Sequence, residues 1–240
     1  MDAIAMPPRV TARENGFFLA MAVFIAVTVI GGFGSFALRG QVDVGRVPYW
    51  VHVHGAVFVA WTLLFVAQAA LVWRGTMALH RRLGWIAVGL GVAMVPLGLL
   101  TAGMAVRLGR VPPFFTPRIF MALSLLEIVA FMLLLTLAIR ARRRTDWHRR
   151  LMICTLIAII GPAFGRILPM ALLGPWGGLA VLGMQLLYLG IAAAYDPISR
   201  RRVHPAYGVG ALVVIVEGVA VPLLAATPPI GALVAVLAPA

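Results

Sequence analysis

Seven apolar runs, joined by short connectors that carry most of the charge, dominate this chain, and each is close to the roughly 20 residues an α-helix needs to cross a bilayer core. They extend over Gly16 to Leu38, Val51 to Trp73, Leu83 to Val106, Pro117 to Ile139, Leu151 to Leu173, Gly177 to Tyr195 and Tyr207 to Leu224. Transmembrane strands are shorter and alternate polar with apolar residues, which these runs do not. Backbone in lipid must satisfy its own hydrogen bonds, so the pattern predicts an all-α polytopic membrane bundle of about seven transmembrane helices. A short tail precedes it through residue 15, the membrane domain covers 16–224, and an apolar tail covers 225–240. Thr227-Pro228-Pro229 breaks the chain there, and Ile230 to Ala240 is too short to span again. That tail is expected at the interface or against the bundle.

Composition removes the alternatives. With 62% hydrophobic and 11% charged residues, the chain has too little polar surface for a soluble domain, where about 25% is charged. It is also far too apolar for a disordered one. The net charge of +13 comes entirely from 20 arginines against 7 acidic residues. Nucleic acid is not the partner this implies, because the arginines sit in connectors rather than along one soluble face. Alternate connectors collect 14 of them on one side (Arg9, Arg13, Arg74, Arg81, Arg82, Arg140, Arg142, Arg143, Arg144, Arg149, Arg150, Arg200, Arg201 and Arg202) and 5 on the other. The positive-inside rule makes the first side, the basic face, cytoplasmic, with the amino terminus inside and the carboxyl terminus outside. The expected setting is a bacterial inner membrane with anionic lipid against the basic face. The first run follows Arg9 and Arg13 as a signal peptide would, but exceeds the usual 7 to 15 residue signal core, so it is read as a retained helix. One cysteine, Cys154, excludes an intramolecular disulfide and a Cys-rich metal site.

His80-Arg81-Arg82-Leu83 and His148-Arg149-Arg150-Leu151 repeat at an offset of 68 residues, each followed by a proline in the next run, Pro96 and Pro162. Helices two and three then correspond to helices four and five as parallel repeats, or the match reflects arginines gathering wherever a helix starts on the basic face. All five histidines (His52, His54, His80, His148 and His204) fall near helix amino termini, where the positive dipole end favours a neutral ring able to ligate a metal. An interfacial histidine that ligates nothing has the same address. His52 and His54 are two apart and point to opposite sides, and His54 shares a face with Phe58, Trp61, Phe65 and Gln68. Such a stripe suits a flat cofactor or a packed helix face. Gly84, Gly91 and Gly98 offer a close-approach face in the next helix. In the fifth run, Gly161-Pro162 is expected to kink the helix.

Three ionisable residues fall inside apolar runs: Glu127, Arg166 and Glu217. Charge in lipid is costly, so each is a functional candidate. At 1.5 Å per residue Glu127 and Arg166 lie about 12 and about 10 Å from the face opposite the arginines, depths that allow an ion pair.

His54-Gly55, Gln68, Leu79-His80-Arg81-Arg82-Leu83-Gly84-Trp85, His148-Arg149-Arg150-Leu151-Met152 and Arg166 together resemble an uncharacterised family of bacterial predicted membrane proteins, a domain of unknown function with HG, LHRxLG and HRRxM motifs. The resemblance spans His54 to Arg166 and implies a histidine-bearing helical bundle without an established reaction. More distantly, the chain is similar to cytochrome b-type membrane proteins, in which histidines on neighbouring helices hold haem b. That similarity implies His80 and His148 as a same-side ligand pair and His54 as a further candidate, with the adjacent arginines facing haem propionates. One function class is therefore a haem-binding redox protein that exchanges electrons with a membrane quinone, with His80 and His148 as axial ligands. Two other classes stand beside it. One is a metal-dependent hydrolase using His80, His148 and His204 with Asp146 or Asp196, for which no HExxH or nucleophile motif is present. The other is a transporter, sensor or assembly factor with a polar path through Glu127, Arg166 and Glu217.

Overall fold

The structure, a computed structural model, describes residues 12–200 and 202–238. Of the basic-face arginines, Arg9 and Arg201 lie outside these residues. The described helices are α1 (Ala12–Leu38), α2 (Tyr49–Trp73), α3 (Met77–Arg107), α4 (Pro117–Arg140), α5 (Thr145–Ala158), α6 (Gly161–Ile167), α7 (Met170–Leu173), α8 (Gly177–Arg200), α9 (Pro205–Ala225) and α10 (Pro228–Leu237). Among the described residues six spans are long and apolar enough to cross a membrane, and the bent pair α5 and α6, taken as one span, makes a seventh. The protein is a polytopic, all-α membrane protein. Its exposed large side chains, among them Phe24, Val27, Leu63, Ile86, Val129 and Val216, form the apolar surface that lipid requires.

The fifth run does not form one helix from Leu151 to Leu173. It starts earlier, at Thr145, stops at Ala158, and resumes at Gly161 after a bend of 45°. Proline supplies the reason. Pro162 has no N–H for the carbonyl of Ala158, and its ring crowds that same carbonyl, so the helix ends there. The side-chain amide of Gln185 on α8 takes over, donating from Nε2 to the carbonyls of Ala158 (3.1 Å) and Ile157 (3.3 Å). Pro96, the matching proline of the sequence repeat, sits inside an unbroken α3, so the two halves differ at this point.

α5 is the central helix. It packs against α1, α4, α8 and α9 and is buried along most of its length, from Arg150 and Leu151 through Ala158 apart from Met152. α2 and α3 form an antiparallel pair beside it, α2 leaning on α1 and α3 on α4. α10 packs against α3, α4 and α9, so the apolar tail lies on the bundle.

α3 begins at Met77, not Leu83, and α5 begins before its own His-Arg-Arg motif. His80 and His148 therefore occupy the same register, each donating its backbone N–H to the residue four before it, Thr76 (3.1 Å) and Arg144 (2.9 Å). Of the α3 glycine face, Gly91 and Gly98 serve packing: a Cβ at Gly91 would stand 2.9 Å from Leu135, and one at Gly98 would stand 3.1 Å from Ile128.

Candidate functional site

The histidines of the repeat lie at the same end of the bundle, on helices that do not pack closely on one another. His148 Nδ1 lies 2.8 Å from the Ala138 carbonyl oxygen, and because a carbonyl only accepts, the ring donates from Nδ1, which in the neutral ring leaves the lone pair on Nε2. His80 sits within electrostatic range of His148 and beside the backbone of Gln68. Its Nδ1 is buried without a hydrogen-bond partner, as are both the amide oxygen and nitrogen of Gln68. Buried polar atoms are almost always satisfied, so these three unsatisfied atoms, on residues that adjoin through the Gln68 backbone, single out this end of the bundle. One turn beyond His80, a Cβ at Gly84 would meet nothing within 4 Å, leaving open space beside the ring.

The rest of the aromatic stripe does not extend this place. Trp61 is fully buried, donates its indole N–H to the Ala87 carbonyl (3.0 Å) and meets Phe131 edge-on at 5.2 Å. With Phe65 it fills the middle of the face as core, so no flat surface runs from Gln68 to His54. His54 belongs to the other end of α2, where it stacks against Phe58 at 4.2 Å, lies beside Leu97 and faces the charge of Arg166 from a distance. Its Nδ1 is also buried and unpartnered, whereas His52 is exposed, as their spacing requires.

His204 does not join His80 and His148. It caps α9, accepting the Ala206 N–H at Nδ1 (3.1 Å) and donating from Nε2 to Asp146 (3.2 Å). Burial holds its ring below the usual imidazole range, a shift that the hydrogen bond to Asp146 opposes. No group of three metal-ligating side chains is assembled among the described residues, so the zinc site of the hydrolase reading is not formed. Asp196 is occupied elsewhere, neutralising Arg150.

Arg150 was counted among the interfacial arginines, yet it is wholly buried. Its Nε donates to Asp196 (2.9 Å), its Nη2 donates to Asp196 and Glu14, and its Nη1 donates to the Asp146 carbonyl (3.0 Å). Arg149 pairs with Glu14, and the His204 N–H donates to Asp196 (2.9 Å). The clamp joins α1, α5, α8 and the α9 cap. A signal for it existed, since three of only seven acidic residues, Glu14, Asp146 and Asp196, converge here, but they are far apart in the chain.

A second polar centre surrounds the break between α5 and α6. Glu127 Oε1 on α4 lies 3.4 Å from where Gly161 would carry a Cβ, and Gln185 Nε2 lies 3.8 Å from the same point. Glu217 on α9 is buried, its Oε2 has no partner, and it is within electrostatic range of Glu127. The expected ion pair between Glu127 and Arg166 is not formed among the described residues. Arg166 points away along the turned α6, donating to the Pro162 carbonyl (2.8 Å) and covering the ring of Phe33 at 4.0 Å, and it acts on Glu127 only at longer range. Sequence reasoning passed over Gln185, a lone amide in the middle of an apolar run.

No family model matches this chain, and neither a curated protein nor a solved structure does.

What the side chains can do divides accordingly. The end at His80 and His148 offers ring nitrogens, the chemistry of metal ligation. The helix break offers carboxyl groups, the chemistry of proton or cation binding.

Proposed function

We propose that the protein carries one haem b between His80 and His148 and exchanges electrons with a quinone in the bilayer. Membership of the uncharacterised bacterial family whose motif order it shares belongs to the same reading, as does an inner membrane with the basic face cytoplasmic. The observation that carries it is the pairing of a His148 ring whose Nε2 is free with a His80 ring whose Nδ1, together with the Gln68 amide, is buried and unsatisfied. Two imidazoles in the same helical register and an open position at Gly84 fit a planar, bis-histidine cofactor.

Bound haem supplies one-electron redox chemistry. The protein's own groups do the rest. The Ala138 carbonyl fixes the His148 tautomer and ring orientation, the arrangement usual for histidines that ligate metals. Gln68, whose backbone adjoins His80, has an amide donor and acceptor that no protein group satisfies. Arg81 and Arg82 are exposed beside it and supply positive charge for propionate groups. Trp61, Phe65 and Phe131 close the interior side against water. His54 lies at the other end of α2 and is not part of this ligand pair.

The test is a reduced-minus-oxidised spectrum of protein expressed with ample haem, for the wild type and for His80→Ala, His148→Ala and His204→Ala. Soret and α bands in the wild type and in His204→Ala, lost or shifted away from bis-histidine in the other two, are the expected result. A wild type without these bands, or unaltered spectra in His80→Ala and His148→Ala, overturns the assignment.

A further inference from the structure

We propose that Glu127 and Glu217 share one proton inside the membrane, which makes the break between α5 and α6 a proton-binding site independent of the histidine end. The break creates the space. Gly161 has no side chain, so the Glu127 carboxyl reaches to 3.4 Å from its missing Cβ, with Val181 and Gln185 of α8 closing the same point at 3.6 and 3.8 Å. α8 ties the second carboxyl to this level: Leu182, next to Val181, packs on Gly218, next to Glu217, at 3.1 Å from a would-be Cβ.

The donors around the pair are already committed. Gln185 Nε2 is held by the Ile157 and Ala158 carbonyls, and Arg166 by the Pro162 carbonyl and the Phe33 ring. Glu217 is 7% exposed and its Oε2 has no protein partner, so the donor it lacks must come from outside the protein framework. Two carboxylates within electrostatic range in a low-dielectric interior cannot both ionise, and a single proton removes their repulsion. The charge left over is one negative, facing the one positive charge of Arg166 at longer range. The charged or titratable groups facing the pair are Arg166 from α6 and, beyond it, His54 from α2.

Infrared difference spectroscopy of the full chain in lipid nanodiscs, titrated from acid to alkaline pH, reads the carbonyl band of protonated carboxyl groups directly. The wild type is expected to keep one such proton per chain at a pH where ordinary carboxylic acids are ionised. In Glu127→Gln and in Glu217→Gln the remaining carboxyl loses its repelling partner and should bind the proton at least about tenfold more weakly, a shift of about one pH unit. Arg166→Gln, which touches neither carboxyl, should shift the wild-type band to higher pH and serves if a carboxyl variant does not fold. A wild type without the band, titrations that do not move in the variants, or loss of the band on adding sodium ions at fixed pH would each overturn the shared proton. The last result would mark a metal-cation site instead.

Discussion

Arg150 is a buried charge whose value lies in what it would leave behind. Its guanidinium and the Asp196 carboxylate are both fully buried; the guanidinium is satisfied by Asp196, Glu14 and the Asp146 carbonyl, and the carboxylate by Arg150 and the His204 N–H. Removing one partner strands the other charge, so Arg150→Ala and Asp196→Asn should each destabilise by about 3–5 kcal/mol in denaturant unfolding in detergent. The combined Arg150→Ala and Asp196→Asn change should cost clearly less than the sum. Additive losses would show that the two do not act as a pair. His204 gives the same end of the molecule a pH dependence. Its Nδ1 must stay unprotonated to accept the Ala206 N–H, and burial lowers its proton affinity in the fold, opposed by Asp146 and Asp196 and reinforced by Arg150. The unfolded chain therefore takes up the proton first. The stabilising contribution is complete above about pH 6.5 and is lost as the pH falls from there through the lowered folded value. Unfolding followed from pH 8 to pH 5 should show this loss, and His204→Asn, which keeps a cap acceptor but does not titrate, should flatten it.

At the scale of the helix, the break in the fifth span is a local backbone fault repaired by a distant side chain. Pro162 removes one donor and ends α5, and Gln185, from a helix more than 20 residues later, supplies the replacement to two carbonyls. Gln185→Leu leaves the Ala158 carbonyl without a donor, while Ile157 keeps the Ile160 N–H (3.3 Å). It should cost about 1–3 kcal/mol for the lost partner, read by thermal unfolding, with hydrogen exchange rising first around residues 157–161. Unchanged exchange in that segment would mean the break is stable without its side-chain donor. The contrast with Pro96 follows from the same accounting. α3 runs unbroken past its proline, which is exposed, whereas Pro162 opens α6, which packs against α1 and α8.

The molecule as a whole is polarised. One face gathers the arginine connectors, the Arg150 clamp and the His80 and His148 pair, while the region toward the other face holds His54, Arg166 and the two carboxyls of the helix break. Arg143 lies in the exposed turn between α4 and α5 and reports the orientation. The one native cysteine, Cys154, is fully buried and gives no background to a thiol reagent. Arg143→Cys in intact cells should be shielded from a membrane-impermeant maleimide and labelled once the membrane is opened. Labelling in intact cells would invert the orientation and place the histidine pair on the outer side.

The number of spans, their approximate limits outside the fifth and the all-helical character of the described residues were legible in the chain alone, because a bilayer demands a local property, a sufficient length of apolar backbone-satisfied helix, that can be read residue by residue. The five histidines could likewise be assigned to helix ends, and His80 and His148 to one side, from segment order. Which faces meet was not legible. Lipid is as apolar as a helix core, so no apolar stripe distinguishes inward from outward sides in a membrane helix. Only packing could therefore decide that Trp61 fills the core, that Arg150 turns inward to Asp196 rather than outward to lipid, that Arg166 turns from Glu127 to Phe33, and that Gln185 closes a break made by Pro162. Each of those outcomes depends on a partner between 26 and 133 residues away or on the direction of a 45° bend, quantities that exist only once the helices have assembled.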